Sequence, residues 1–519
     1  MELPDMRASG AASESRRAEE ARARAKRRPS PLLPALLLGA GVVVTQPGDA
    51  TQQPVETTPA STGEAASEPR SAPTLTACRP EGSQEEALCG ELEVPEDWSD
   101  PEGRSIRLAV TVLPARGTET DAPLYHLSGG PGSSSGFPIL VYTGSLPWPA
   151  MQGATRLREG RRIVLVDHRG TGSSNPLHCP ELPSFGSLDT LFPLDAVAAC
   201  RDRLQRHADL TQYGAPQAVH DLEAVRSALG DEQLHLRGGS YGSHLALAYL
   251  RQYPERVRSA VLQGILPLDN RVPLEHARNA DRVFDLVVAE CSTDDACSAA
   301  FPDLGRRWRH ALEGLPVVDR AAGELPRGVL VELLRSTLGF YAEQRHLPRR
   351  LDAVARGDLA ELRSIAEQSR SSDFALGLYL SAQCPHTLDA EGHVLETAGT
   401  ALGAYRIERQ LAACEIWPRV ALPQGWKEPV EVDVPVLLVS GAFDHETPPE
   451  WGDRVASRLP RSRHVVAPNL GHVPYDAGAC YWEVLASFYR DPDPIGVDTS
   501  CLSAIEPLPF ELSPMDRME

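Results

Sequence analysis

Lysine is almost absent from this chain of 519 residues, in which Lys26 and Lys427 are the only two. A serine–lysine catalytic dyad needs a lysine in the folded body, and Lys427 is the one candidate there. Positive charge is outnumbered, because 51 Lys and Arg residues stand against 71 Asp and Glu residues and the net charge at pH 7 is −20. Nucleic-acid binding requires clustered basic residues, which occur only at the extreme N-terminus. The sequence therefore predicts neither a serine–lysine enzyme nor a nucleic-acid partner.

Long apolar runs are missing as well. A membrane-spanning helix needs about 20 consecutive apolar residues, and no run in this sequence is that long. Residues 31–44 form an apolar run of 14 residues that follows a basic stretch, as in the h-region of a signal peptide. We predict an export segment at 1–50 and a secreted or cell-envelope protein. An uncleaved N-terminal anchor, which would be the only membrane contact, and a true start further downstream stay open. Residues 51–76 are rich in Thr, Pro, Ala, Ser and Glu, which predicts a disordered linker.

Zinc-type ligand spacings do not occur: the chain has no closely spaced cysteine pair with histidine partners and no H-E-x-x-H motif. We expect no metal and no other cofactor. An even set of ten cysteines is present instead, which suits an oxidising compartment. Sequence alone leaves their connectivity open. Along the chain, the cysteines lie in groups of two neighbours: Cys78 and Cys89, Cys179 and Cys200, Cys291 and Cys297, Cys384 and Cys414, and Cys480 and Cys501.

From Cys78 onwards, strand and helix signals alternate, which is typical of a parallel α/β sheet. Strands are predicted at 105–115, 123–127, 162–166, 233–236 and 257–266, and helices at 221–229 and 244–253. From 268 to about 424 the pattern is mostly helical, including 281–290, 328–338 and 347–368, before strand signals return at 434–439 and 464–467. We predict one α/β core built from 77–267 and 428–519, interrupted by a helical cap at 268–427.

A G-x-S-x-G motif stands at 238–242, between a predicted strand and a predicted helix. In that context the turn is so sharp that Gly238 and Gly242 avoid backbone clashes while the Ser240 hydroxyl stands clear of the sheet. The dipole of the following helix is positive where an oxyanion would form. The motif alone also fits an ordinary glycine turn. The strand–turn–helix context favours a nucleophilic serine.

A nucleophilic serine needs a base, because its hydroxyl reacts poorly at neutral pH. In this arrangement the chain order is serine, acid, histidine. Asp444 and His472 each follow a predicted strand, in that order. His472 would accept the Ser240 proton and Asp444 would hold the imidazole. Two neighbouring residues, His445 and Glu446, are rivals for these roles.

The second requirement is an oxyanion hole, in which backbone N–H groups stabilise the negative charge of the tetrahedral intermediate. One donor is expected from Tyr241, the residue after the nucleophile. The other is expected from the glycine-rich segment at 128–132, where we favour the amide of Gly130. The alternative for this segment is a plain Gly/Pro turn.

At these residues the sequence resembles the proline iminopeptidase and tripeptidyl aminopeptidase branch of the α/β-hydrolases. The matching segments are SGGPGSSSG at 128–136, VDHRGTGSSNP at 166–176, GGSYGS at 238–243, SGAFDHETPP at 440–449 and NLGHVP at 469–474. The opening at 78–98 and the ending around Cys480 and Cys501 are similar to the exported tripeptidyl-aminopeptidase type, so the resemblance covers about 76–510. It implies the α/β-hydrolase fold, a helical cap, disulfides between neighbouring cysteines, and removal of short peptides or single residues from free N-termini.

The resemblance also implies acidic cap residues that hold the substrate's α-amino group. Relatives place an acid just after the cap cysteine, whereas Cys384 is followed here by Pro385, His386 and Thr387. Asp389 and Glu391 are then the candidate anchors. The alternatives are that these residues are solvated acids and that the anchor is absent.

The resulting hypothesis is an exported, metal-independent serine hydrolase that works through an acyl-enzyme. Its substrate would be a peptide with a free N-terminus. An esterase or amidase acting on small acyl compounds is the first alternative, because the same triad cleaves either bond. A catalytically silent hydrolase fold used for binding is the second.

Overall fold

The computed structural model describes residues 73–513, apart from 152, 314–316, 320–322, 369–373 and 473. The predicted export segment at 1–50 and most of the predicted linker at 51–76 lie outside the described residues. No helix in the described part of the chain combines the length and apolarity that a membrane crossing requires.

A sheet of nine strands forms the centre of the described structure. The strands among the described residues are β1 (Thr76–Cys78), β2 (Ala87–Pro95), β3 (Ser105–Leu113), β4 (Leu124–Leu127), β5 (Ile163–Val166), β6 (Leu234–Gly239), β7 (Val257–Gln263), β8 (Val317–Asp319), β9 (Gly323–Leu325), β10 (Val436–Gly441) and β11 (Ser462–Ala467). The order in the large sheet is β1-β2-β3-β5-β4-β6-β7-β10-β11. Within this sheet β5, β4, β6, β7, β10 and β11 pair in parallel with their neighbours. At the other edge β1, β2 and β3 pair antiparallel with one another, and β3 pairs antiparallel with β5. The predicted α/β class with a mostly parallel sheet is therefore confirmed.

The burial of each strand follows from its place in the sheet. Every residue of β5 (IVLV) and β10 (VLLVSG) is buried, as expected for parallel strands covered on both faces. β3 alternates exposed and buried residues along most of its length, as antiparallel strands with one wet face do. The sequence did not predict β1 and β2, because β2 interrupts its apolar residues with Cys89, Gly90 and Glu91.

Helices cover both faces of this sheet. The α-helices are α1 (Gly136–Thr143), α2 (Leu194–Leu204), α3 (Ala215–Ala228), α4 (Tyr241–Gln252), α5 (His276–Thr293), α6 (Asp295–Ala300), α7 (Leu304–Glu313), α8 (Arg327–Ser336), α9 (Tyr341–Gln344), α10 (Leu347–Ala355), α11 (Ala360–Gln368), α12 (Leu376–Leu388), α13 (Tyr405–Ile416), α14 (Pro449–Ala456), α15 (Ala479–Arg490) and α16 (Ser500–Ser503). Side chains of α3 and α4 share one hydrophobic core with the sheet, and side chains of α1 and α15 share another. Such layering buries both faces of a parallel sheet.

Helices α5 to α13 lie in the chain between the parallel neighbours β7 and β10. They have a core of their own around Phe284, Trp308 and Leu334. Two details differ from the mostly helical expectation. β8 and β9 form a small antiparallel hairpin, and the helix predicted at 347–368 is divided into α10 and α11. Gly357 lies in that break with φ +75°, a left-handed conformation that ends a helix and favours glycine.

A second core of the cap includes residues that precede the insertion in the chain. Leu177, Cys200 and other residues of 177–213 pack with Leu378 of α12 and Trp417, which follows α13. Residues of 177–213 therefore pack against the helices of the inserted segment.

Candidate active site

Ser240 occupies the turn between β6 and α4. Its backbone has φ 54° and ψ −125°, a conformation that costs energy for a residue with a side chain. The two flanking glycines make the turn possible. A Cβ at Gly238 would lie 2.3 Å from the Gly242 carbonyl oxygen. A Cβ at Gly242 would lie 2.0 Å from the Leu127 carbonyl oxygen. The geometry of this segment is that of a nucleophile elbow.

Asp444 follows the end of β10 and is fully buried. Its Oδ1 accepts hydrogen bonds of 2.8 Å from the backbone amides of Glu446 and Thr447. Its Oδ2 accepts a 2.8 Å bond from the Thr447 hydroxyl. His472 Nδ1 lies 3.0 Å from Oδ1 and 2.9 Å from Oδ2. The carboxylate is thus held by its own loop and presents both oxygens to the imidazole.

Asp444 and His472 shift each other's pKa in the direction that favours the charged form of each group. Burial alone would raise the pKa of Asp444, but the His472 imidazole and the Thr447 amide lower it below the usual value. Burial alone would lower the pKa of His472, but the Asp444 carboxylate, through its charge and hydrogen bond, raises it. Such a pair supports an imidazole that can accept a proton and keep it while chemistry proceeds.

Ser240 and His472 line one cavity of about 540 Å³ at the carboxyl ends of β4, β6 and β7. Because His472 Nδ1 is engaged by Asp444, Nε2 is the ring nitrogen left for exchange with a serine hydroxyl. The structure therefore brings the three residues of the predicted triad to one place. The two rivals, His445 and Glu446, also line the cavity, but the Asp444 carboxylate is the acid that hydrogen-bonds to His472.

The segment at 128–132 reaches the same cavity. A Cβ at Gly129 would lie only 3.2 Å from the Ser240 Cβ, so this backbone runs directly beside Ser240. Gly130, with φ +117°, and Tyr241, the first residue of α4, both line the cavity. The Tyr241 amide has no acceptor within its own helix, because the first N–H groups of a helix never do. The position of both residues is compatible with the predicted oxyanion hole.

The two predicted anchors lie elsewhere. Asp389 forms an ion pair with Lys427 and has a half-exposed side chain. Glu391 is exposed at the start of the 3₁₀ helix Glu391–Thr397. Neither residue lines the cavity. The departure after Cys384 has a simple structural counterpart, since His386 is buried there, with its ring 5.2 Å from that of His244.

The cap contributes two guanidinium groups to the cavity wall, Arg335 of α8 and Arg406 of α13. Glu332 lies between them: Arg335 donates to its carboxylate at 2.8 Å, and Arg406 forms an ion pair with it. Arg335 also pairs with Glu446. Sequence reasoning missed this cluster, because two arginines within cap helices form no motif. Only Glu446 stood near a recognised segment, two residues after Asp444.

Aromatic side chains complete the wall. Phe340, Phe374 and Tyr379 come from the cap, whereas Phe137 and Tyr475 come from the core. The Arg406 guanidinium lies 5.1 Å from the centre of the Phe185 ring, which also lines the cavity. The cavity thus combines apolar surface with a few charged groups, as small-molecule and peptide sites do.

All ten cysteines are paired in disulfides, and each pairing joins the neighbours noted in the sequence. The bonds are Cys78–Cys89, Cys179–Cys200, Cys291–Cys297, Cys384–Cys414 and Cys480–Cys501. Among the described residues, only Cys179, Glu181 and Cys200 bring metal-type ligand atoms close together, and both sulfurs belong to a disulfide. A metal site is not supported there.

Comparison with known proteins adds an independent finding. Residues 122–479 match the family model described as the alpha/beta hydrolase fold. The chain is 27% identical over 422 residues to serine protease Hip1 of Mycobacterium tuberculosis, which covers 72% of this chain and 79% of that protein. It is 31% identical over 195 residues to the tripeptidyl aminopeptidase of Streptomyces coelicolor, covering 34% and 35%. It is 24% identical over 367 residues to a probable proline iminopeptidase of Leptolyngbya boryana, covering 70% and 84%.

Proposed function

Because the chain belongs to the α/β-hydrolase family, we propose that it is an exported serine hydrolase. The proposed reaction is the removal of short peptides or single residues from free N-termini. The family is the one that the sequence motifs predict. Its relatives include proteins named as a serine protease, a tripeptidyl aminopeptidase and a proline iminopeptidase. A serine hydrolase or peptidase is the family-level function. The aminopeptidase activity, the triad and the export are the proposal.

One observation carries the proposal: Ser240 and His472 line a single cavity, and the buried Asp444 carboxylate lies 2.9 Å from His472 Nδ1. In the proposed reaction His472 takes the proton of Ser240 as the serine oxygen attacks the substrate carbonyl. The Gly130 and Tyr241 amides stabilise the oxyanion. His472 then protonates the leaving amine, which departs and leaves an acyl-enzyme. Water, activated by the same imidazole, hydrolyses the ester and restores the serine.

The cap supports action on chain ends. Arg335, Phe340, Tyr379 and Arg406 of the cap line the cavity together with Ser240 and His472 of the core. A cavity walled by both the core and the cap suits a short acyl segment better than a continuous polypeptide. The ten paired cysteines support an oxidising, extracytoplasmic location.

An esterase or amidase acting on small acyl compounds is the second candidate, and one observation favours it. In the described part of the chain the cap supplies no carboxylate to the cavity wall; it supplies Arg335 and Arg406. An aminopeptidase would be expected to meet the substrate's ammonium with an acid.

The test compares two peptides that differ only by N-acetylation, incubated with the purified protein and with its Ser240→Ala variant as the blank. Mass spectrometry of the products identifies each cleavage. Stepwise release from the free peptide alone is the expected result, and the mass of the released piece gives the step size. Cleavage of both peptides, or of neither while simple esters turn over, contradicts the aminopeptidase and favours the esterase. Failure of a fluorophosphonate probe to label the folded protein would instead indicate a silent fold.

A further inference from the structure

Glu446 is the only acidic side chain among the described residues that line the catalytic cavity. It lies two residues after Asp444, and its backbone amide donates the 2.8 Å bond to Asp444 Oδ1. A quarter of its side-chain surface is accessible, so the carboxylate faces the cavity while its backbone is part of the support of the proposed triad. One short loop therefore fixes two carboxylates relative to each other.

The ionisation of Glu446 is secured by its neighbours. Burial alone would raise its pKa, but a hydrogen bond with His276 and the charge of the Arg335 guanidinium hold the pKa well below the usual value. The His276 Nε2 lies 2.8 Å from Oε2, and the His445 Nε2 lies 3.1 Å from Oε1. Glu446 therefore carries its negative charge across the pH range in which the imidazole of His472 can act as a base.

The surrounding charges leave room for a further cation. Glu332 and Glu446 balance the guanidinium groups of Arg335 and Arg406. Burial lowers the pKa of both His276 and His445, which favours their neutral forms. The cluster is therefore close to neutral rather than positive, and an ammonium group that approaches Glu446 meets little net repulsion.

The hydrogen-bonding capacity of Glu446 is also incomplete. A carboxylate oxygen can accept two hydrogen bonds. Within the described part of the chain, Oε1 receives Arg335 and lies close to His445, whereas Oε2 receives only His276. Oε2 thus retains acceptor capacity that an ammonium N–H could use.

We propose that Glu446 is the carboxylate that binds the free α-ammonium group of the substrate, an assignment that rests on the proposed aminopeptidase function. The anchor then comes from the loop of the catalytic acid and not from the cap. The hydrogen bond from this loop to Asp444 fixes the position of Glu446 in the site. In this assignment, the distance from Glu446 to Ser240 sets how many residues are released.

The test measures kcat/KM for two peptide anilides that are identical except that a hydrogen replaces the α-amino group in one of them. Their ratio reports recognition of the ammonium group. We expect Glu446→Gln, which keeps the shape but loses the charge, to lower this ratio by roughly 100-fold. Glu446→Asp, which keeps the charge, should give an intermediate ratio. Asp389→Asn, which removes a half-exposed acid outside the cavity, should keep the wild-type ratio.

The rate of labelling by a fluorophosphonate reports whether each variant keeps a folded, reactive Ser240. An unchanged ratio in Glu446→Gln overturns the assignment. So does an equal loss on both substrates accompanied by slow labelling, because Glu446 would then act only through Asp444. A wild-type ratio near one locates the failure in the proposed function itself, and the assignment of Glu446 falls with it.

Discussion

The Nδ1 atom of His472 faces both oxygens of Asp444, at 2.9 and 3.0 Å, so this carboxylate contacts the proposed base directly. The pKa of His472 is raised above its usual 6.5 by this carboxylate, against the effect of burial. Catalysis requires the neutral imidazole. We therefore expect kcat/KM to rise with pH through a pKa above 6.5.

Replacing Asp444 by Asn removes the charge that raises this pKa, so the acidic limb of the pH profile should move to lower pH. The turnover number should fall on the order of 10⁴-fold, because the imidazole loses its orienting acceptor. A matched control is Asp453→Asn, which alters the 2.8 Å contact of another aspartate with His464 Nδ1. That variant should keep the wild-type profile. A shift in both variants would mean that the limb does not report His472.

The turn after Ser240 allows no side chain at Gly242, because a Cβ would lie 2.0 Å from a backbone carbonyl oxygen. Gly242→Ala should therefore cost about 3–5 kcal/mol of unfolding free energy, at the upper end for single substitutions. Urea denaturation gives this value. Gly392→Ala, where a Cβ would meet nothing within 4 Å, should change it by less than about 1 kcal/mol. Equal costs at the two sites would contradict the close approach of α4 to β4.

Thr447 joins the two partners of the proposed acid–base pair, since its hydroxyl lies 2.8 Å from Asp444 Oδ2 and 3.1 Å from His472 Nδ1. Thr447→Val keeps the shape and removes the hydroxyl. We expect kcat/KM to fall roughly tenfold, which corresponds to one hydrogen bond to a charged group. Thr447→Ser should restore most of the activity, whereas a loss that serine does not rescue would point to packing of the methyl group.

The disulfide Cys384–Cys414 links α12 and α13, the helices that present Tyr379, Gln383 and Arg406 to the cavity. Replacing both cysteines by serine should cost about 3 kcal/mol of stability and lower kcat/KM. Thermal unfolding and peptide turnover measure the two effects. The matched variant without Cys78–Cys89, which lies at the antiparallel edge of the sheet, should lose stability with little change in turnover. Similar activity losses in both variants would mean that the cap linkage has no special role in the site.

The parts predicted from sequence are those where local residue types dictate the backbone. Apolar runs such as IVLV and VLLV identified β5 and β10, and the glycines around Ser240 identified the turn. The family and the sheet are confirmed, whereas the role of Ser240, Asp444 and His472 stays a prediction that the geometry supports. The division between α10 and α11 depends on the left-handed conformation of Gly357. A single glycine in a sequence does not show which φ it adopts, so the division was not predictable.

The charged wall of the cavity was beyond sequence reasoning for a different reason. Glu332, Arg335 and Arg406 meet only because α8 and α13 pack together in the cap. No local spacing links residues so far apart in the chain. The acids chosen from sequence, Asp389 and Glu391, were selected for closeness to Cys384, and the structure places both outside the cavity. Glu446 was recognised only as a rival for the catalytic acid.

The order of the site along the chain has a consequence for synthesis. Ser240 is made before the cap, whereas Asp444 and His472 are made after it, and the cap lies between β7 and β10. A ribosome or an export channel that delivers the chain from its N-terminus therefore releases the serine long before its base. The proposed hydrolytic activity cannot appear until His472 has emerged, so products truncated before it would not digest peptides in the cell that makes them.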